Sequence, residues 1–226
     1  MTVHFESKCL FCELSGAYKI ANTCQTCFSA LERLPHSCLT CALPVPEGVE
    51  TCGQCQKKPP VMDHVYAACP YEQGIDSLIR NLKDNGEFST LDIFAVLIEE
   101  CLRKARTRLP DLIVPVPLHP LRRMWRGFNQ ADLIAEKLGA SLDIEVAHQA
   151  LGRRMSTDQR TLNLSRRFDN MRQAFYLKST ALEGMRVAIL DDVMTTGATL
   201  NSAARTLKAG GALRVDAWVL ARTLRH

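Results

Sequence analysis

The sequence predicts an α/β protein, a mostly parallel sheet flanked by helices and preceded by a small cysteine-rich module. Three observations carry that reading. Short continuous apolar runs, Leu112-Ile113-Val114 and Val187-Ala188-Ile189-Leu190, suit parallel strands covered on both faces. Segments with apolar residues at helical spacing, such as Leu200, Ala203, Ala204 and Leu207, alternate with these runs, as crossover connections require. Eight of the 10 cysteines fall before residue 56, in a stretch with little apolar periodicity.

Those eight form four Cys-x-x-Cys pairs: Cys9/Cys12, Cys24/Cys27, Cys38/Cys41 and Cys52/Cys55. Each pair points two thiolates at one ion, and two pairs complete a tetrahedron, so the module reads as a double zinc ribbon with two structural sites. Sequential pairing is the simplest arrangement; a cross-braced one, first pair with third and second with fourth, has the same spacing. Disulfides are disfavoured because Met1-Thr2-Val3-His4-Phe5-Glu6-Ser7 lacks the apolar stretch of a secretory leader. His36 reads as a bystander, because four sulfurs already satisfy each ion. Cys69, in a strand-like run, and Cys101, on the apolar face of a helix, read as packing residues. Lys57-Lys58-Pro59-Pro60 is a stiff linker that ends the module, which gives a zinc-ribbon module at 1–60 and a sheet domain at 61–226.

Beyond the linker the pattern predicts a strand at 65–71, helices at 74–84 and 91–107, a strand at 112–116, a helix at 128–138 and a strand at 142–147. A basic loop with a short helix is expected at 152–171, then strands at 174–177 and 186–191, a helix at 199–209 and a strand at 214–221. No apolar run approaches membrane-spanning length.

The most informative stretch is Val187 to Thr199, Val-Ala-Ile-Leu-Asp-Asp-Val-Met-Thr-Thr-Gly-Ala-Thr. It joins a strand to two carboxylates and then to a Thr/Gly loop that opens a helix. Ligands of open α/β sheets bind at strand carboxyl ends, and a helix amino terminus favours a phosphate. Thr195, Thr196 and Thr199 add hydroxyls, Gly197 lets the backbone approach an anion closely, and Ala198 completes the candidate PRPP-binding loop. Asp191 and Asp192 can accept from ribose hydroxyls or hold Mg²⁺ through water. The order of residues resembles the type I phosphoribosyltransferases, whose signature is four hydrophobic residues, two acidic residues and a Thr-Gly-x-Thr loop for phosphoribosyl pyrophosphate (PRPP). The resemblance implies a phosphoribosyltransferase-like sheet, with PRPP and Mg²⁺ at Asp191 to Thr199.

A second apolar run, Leu112 to Val116, leads into His119-Pro120-Leu121-Arg122-Arg123-Met124-Trp125-Arg126-Gly127-Phe128-Asn129-Gln130. Arg122, Arg123 and Arg126 are candidates for a pyrophosphate, since Arg suits paired oxygens. With Asp191 and Asp192, Arg122 and Arg123 are the candidate catalytic groups: pyrophosphate displacement builds negative charge on the leaving group, which they would neutralise. Arg153, Arg154 and Gln159, in the polar stretch 153–160, are candidates for a lid that excludes water.

Charge is uneven within a total of +4. Residues 102–128 carry seven basic and one acidic residue, 151–178 seven and two, and 61–101 two and eight. The basic segments suit a single-stranded nucleic acid held mainly by charge, with Trp125 and Phe128 available to stack. Together with the zinc pairs, Tyr71, Lys83, Gln159, Arg166, Arg167, Asn170, Ala174 and Phe175, the Arg126-Gly127-Phe128-Asn129-Gln130 stretch resembles the ComF family of competence-associated proteins, over nearly the full chain. That resemblance implies a cytoplasmic protein that handles incoming single-stranded DNA in natural transformation, beside a helicase-like DNA-uptake ATPase. No residue pattern identifies the acceptor. Three classes stay open: a phosphoribosyltransferase of unknown acceptor, a non-catalytic PRPP sensor or nucleic-acid accessory factor, and a zinc-ribbon module bringing a degenerate sheet to a motor.

Overall fold

The structure is a computed structural model and describes residues 8–16, 20–72, 74–154, 174–178 and 182–224. Five parallel strands form the central sheet: β1 (Val65–Pro70), β2 (Leu112–Pro115), β3 (Glu145–Val146), β6 (Arg186–Met194) and β7 (Arg214–Arg222), in the order β1-β7-β6-β2-β3. Two further strands, β4 (Leu151–Arg153) and β5 (Phe175–Leu177), form a separate antiparallel pair.

The strands alternate, and each face builds its own core. From β6, Ala188 and Leu190 face one side and Val187 and Ile189 the other; from β7, Trp218 and Leu220 oppose Val215, Ala217 and Val219. Helices α3 (Ile75–Asn85), α4 (Leu91–Lys104) and α6 (Gln130–Leu142) cover the first face. Helix α7 (Ala198–Ala209), with Leu151 and Phe175 of the hairpin, covers the second. In α3 the buried residues are Ile75, Leu78, Ile79 and Leu82, one stripe at helical spacing, and Gly86 ends the helix in the left-handed region at φ 66°. Two short helices, α1 (Gln25–Ala30) and α2 (Gly53–Lys57), belong to the cysteine-rich segment.

Three local expectations change. Residues 120–126 form a short helix, α5, rather than a loop, because Pro120 sits at its first turn, where its fixed φ and missing N–H are compatible with helix. Helix α6 runs to Leu142 and the strand expected at 142–147 shrinks to Glu145–Val146, because Asn129 caps the helix start and Asp143 caps its end in the left-handed region. The basic segment expected from 152 begins as strand β4, and its partner β5 lies in the hairpin rather than the main sheet; residues 155–173, including Gln159, lie outside the described residues.

Gly139 brings α6 onto β3: a β carbon there would meet Val146 Cγ2 at 2.4 Å and the Ile144 carbonyl at 2.8 Å. Gly139→Ala should therefore destabilise the fold by about 1–3 kcal/mol despite the better helix propensity of alanine, measured as a lower urea midpoint. An unchanged midpoint would show that α6 and β3 separate freely.

Candidate functional site: a carboxylate pair and an anion-binding loop

Strand β6 carries Asp191 and Asp192 to its carboxyl end, beside the end of β2, where the Val116 N–H donates to the Leu190 carbonyl at 2.9 Å. Successive residues point to opposite sides of a strand, so the two carboxylates meet different surroundings. Asp192 is 4% exposed. It forms a close ion pair with Lys83 of α3 and accepts from Gln130 Nε2 of α6 at 3.2 Å. Gln130 in turn accepts from Arg126 Nη1 at 2.8 Å. Burial alone would raise the Asp192 carboxyl, but the Lys83 ammonium and the hydrogen bonds hold it below the usual carboxylate range. Asp191 keeps partial exposure, and its Oδ1 accepts from the Asp192 N–H at 2.9 Å. Burial, reinforced by the adjacent Asp192 charge, pushes its carboxyl well above the usual range.

The loop beyond the strand places Thr195 and Thr196 at the surface and Gly197, at φ 76°, at the N-cap of the 12-residue helix α7. That conformation favours glycine, and the free N–H groups of the first turn face outward from the cap. Thr196 Oγ1 accepts from the Ala198 N–H at 3.4 Å; Thr199 is half-buried in the first turn.

The three arginines of α5 separate. Arg126 is tied to Gln130, and Arg123 is directed at Asp132, 3.7 Å away. Arg122 shares the electrostatic environment of His119 and Arg153. Arg153, from β4, lies over the Phe175 ring at 5.4 Å, donates to the Pro117 carbonyl at 3.4 Å and is drawn toward its charged form by Asp191 against burial. Arg154 is exposed, with its guanidinium 5.9 Å from the Tyr176 ring. Arg153 thus feels both Asp191 and Arg122, and His119 feels both arginines, near the two strand ends. Burial, with Arg153 and Arg122 nearby, keeps His119 below its ordinary value and hence neutral. Sequence reasoning did not single out His119; its position in the short connection after β2, immediately before Pro120, was the available signal.

The cysteines form two groups, Cys9/Cys12/Cys24/Cys27 and Cys38/Cys41/Cys52/Cys55, with all sulfurs in each group within 4.8 Å of one another. Pairing is sequential. The Cys12 and Cys24 sulfurs are 4.0 Å apart and those of Cys41 and Cys52 3.7 Å, close to the ~3.8 Å edge of a tetrahedron with Zn–S bonds of about 2.3 Å. The N–H groups of Cys24 and Cys52 donate to the sulfurs of Cys9 and Cys38 at 3.4 and 3.3 Å. Burial opposes charge on Cys9 and Cys38, but such donors bring both down to about 6. The hydrogen bond to Cys24 instead drives Cys27 up to about 12, and burial drives Cys41 up. Four neighbouring thiolates require a cation, so both groups fit zinc. His36 Nε2 bonds to the Val49 carbonyl at 2.9 Å, away from the sulfurs. Burial pushes the thiols of Cys69 and Cys101 up to about 12 and 11, in keeping with packing roles.

This geometry, a carboxylate pair and Thr/Gly loop closing a parallel strand behind a zinc-ribbon-like segment, defines a phosphoribosyltransferase-like protein. The phosphoribosyl transferase domain family matches residues 124–225. The chain is 33% identical to DNA utilization protein YhgH of Salmonella typhimurium over 96% of this chain and 97% of that protein. It is 31% identical to Competence protein F of Haemophilus influenzae, over 96% and 98%, and 28% identical to Competence protein ComFC of Streptococcus pneumoniae, over 88% and 87%. Among solved structures, a purine phosphoribosyltransferase from Pyrococcus horikoshii aligns with 58% of this chain and 72% of that one at 22% identity and a TM-score of 0.37. The chain belongs to the ComF family.

The unequal carboxylates separate in a pH series. A raised carboxyl penalises the fold at pH values above its folded value and is neutral below the unfolded value of about 3.9, where both states are protonated. Asp191→Asn should therefore raise Tm at pH 7–8 and leave it unchanged near pH 3. A lowered carboxyl does the opposite, so Asp192→Asn should destabilise by about 3–5 kcal/mol at pH 7, by orphaning Lys83, with the difference narrowing in acid. Equal effects of the two substitutions on Tm at pH 7 would contradict this assignment.

Proposed function

We propose that the protein binds PRPP with Mg²⁺ at the Asp191–Thr199 segment, as a phosphoribosyltransferase of unidentified acceptor, and that it supports the handling of incoming single-stranded DNA in the cytoplasm during natural transformation. The observation that carries the chemistry is the half-buried Asp191 at the end of β6, electrostatically coupled to Arg153 and followed directly by the loop that opens α7. A ribose 5-phosphate would place its phosphate on the N–H groups of the Thr195–Thr199 loop and a hydroxyl on Asp191. Its pyrophosphate would lie toward Arg122 and Arg153, which neutralise the charge that develops on the leaving group. Bound Mg²⁺ would supply further neutralisation. Asp192, closed off by Lys83 and Gln130, acts as the anchor of the site rather than as a second exposed acceptor. Two zinc ions per chain complete the proposed composition, one in each cysteine cluster.

The DNA reading draws on the names of the competence relatives and on α5. Leu121, Met124 and Trp125 are exposed, Trp125 to 80%, beside Arg122 and Arg123. Phe128, two residues beyond α5, is half-buried and packs edge-on against Phe88, with ring centroids 5.1 Å apart. A reading in which the site only senses PRPP keeps the same binding residues and differs in lacking turnover. An uptake ATPase would be the partner that brings the strand to α5.

Calorimetry with PRPP and Mg²⁺ should show binding to the wild type, weakened about tenfold or more by Asp191→Asn, as expected for a lost hydrogen bond to a charged group of about 1.5–3 kcal/mol. Turnover of PRPP on adding DNA, free bases or ammonia separates enzyme from sensor, and no binding by the folded wild type removes both. Single-stranded DNA should bind less tightly as salt rises, and Trp125→Ala should weaken it by about 1–3 kcal/mol without changing the salt slope. Salt-independent binding would contradict the electrostatic account.

A further inference from the structure

Arg222 ends β7 and is 1% exposed, among the largest fully buried side chains in the molecule. Its backbone is paired in the sheet on both sides, with Pro70 of β1 and Met194 of β6, so its position is fixed by the fold. Its guanidinium joins two parts of the chain that are distant in sequence. Nε donates to the Cys41 carbonyl at 2.8 Å, inside the second cysteine cluster. Nη1 donates to the Met194 carbonyl at 3.1 Å, to the Thr195 carbonyl at shorter range and to the Thr223 carbonyl at 2.7 Å. Met194 and Thr195 are the residues from which the anion-binding loop departs. Arg222 therefore holds the root of that loop and the second cluster with one rigid, planar group.

The space beside the loop makes this tie matter. A cavity of about 420 Å³, lined among others by Leu43, Cys55, Met62, Met194, Gly197 and Asn201, separates the second cluster from the loop and the start of α7. The cavity reduces packing on that side of the loop, so the carbonyl hydrogen bonds from Arg222 bear on its position. Charge points the same way. A zinc ion with four thiolates carries a net negative charge, which suits a buried guanidinium at its edge; four neutral thiols would not. The first cluster sits elsewhere, with Phe11 against Gly74 at the start of α3.

We propose that Arg222 is a positioning residue through which zinc in the second cluster, Cys38/Cys41/Cys52/Cys55, holds the Thr195–Thr199 loop in its anion-binding conformation, whereas the first cluster has no such role. The consequence for PRPP rests on the function proposed above; the coupling itself does not. Loss of the second zinc, by chelation or thiol oxidation, would then loosen the loop while leaving the sheet intact.

The test removes one knuckle at a time: Cys52→Ser with Cys55→Ser, against Cys24→Ser with Cys27→Ser, each with zinc content measured and folding confirmed by circular dichroism. Hydrogen exchange of amides 194–199 reads the loop directly. The second-cluster variant and Arg222→Gln should accelerate exchange there at least tenfold; the first-cluster variant should not, and Arg222→Lys should restore part of the protection. Should Arg222→Gln fail to fold, Arg222→Lys and partial chelation of the wild type carry the test. Combining Arg222→Lys with the second-cluster change should add nothing further. PRPP affinity should fall at least tenfold in step with loop exchange. Loop exchange that ignores the second zinc, or responds equally to both clusters, overturns the coupling. Absence of PRPP binding by the wild type, with the exchange differences intact, overturns only the function on which the PRPP consequence rests.

Discussion

Two carboxylates stand next to one another at the end of a strand buried in the middle of the sheet, and their charge has to be balanced from outside that strand. Asp192 is balanced by Lys83, from α3, and by Gln130, from the first residue of α6. Arg126, the last residue of α5, holds Gln130 in turn. Three helices on one face therefore meet at a single buried carboxylate. A buried ion pair contributes little net stability over an apolar contact, but breaking one is costly, so these elements cannot shift independently. The positions of α3, α5 and α6 around the strand end follow from that constraint.

Once Asp192 is neutralised, Asp191 is left as the carboxylate at the mouth of the site, with Arg122, Arg153 and neutral His119 around it. Burial and repulsion from Asp192 raise its carboxyl, the kind of perturbation that accompanies a ligand site in the proposed function. A bound ribose would relieve it by supplying hydroxyl donors. The arginines divide in the same way: Arg126 and Arg123 are tied to the neighbouring helix α6, and Arg122 and Arg153 are the ones assigned to ligand in the proposed function.

The cysteine-rich segment does more than bring two sets of metal-ligating sulfurs together. Strand β1 lies at the edge of the sheet, where unpaired backbone groups invite association. Leu34 donates to the Ala68 carbonyl at 3.1 Å, and Val65 donates to the Leu39 carbonyl at 2.7 Å, so the segment covers part of that edge. It also reaches the ligand site through Arg222. Among the described residues no helix is long and apolar enough to cross a membrane.

Much of the fold was legible in the sequence because its information is local. Continuous apolar runs define β2, β6 and β7, helical spacing defines α3, α4 and α7, and the order of carboxylates, threonines and glycine from Asp191 to Thr199 requires only neighbours along the chain. Four Cys-x-x-Cys pairs likewise announce two tetrahedral sites, but sulfur-to-sulfur distances were needed to choose sequential pairing over a cross-braced one. Tertiary structure decided the rest. Nothing in the spacing of Arg122, Arg123 and Arg126 says which is free, because their partners lie on α6. Lys83 becomes the partner of Asp192 across 108 intervening positions only through packing of α3 on the sheet. Arg222 looks like the polar end of a strand until the fold places it between Cys41 and Thr195. Periodicity records which face a residue turns to the core; partnerships between distant polar groups arise only when the packed elements exclude water and leave those groups no other partner.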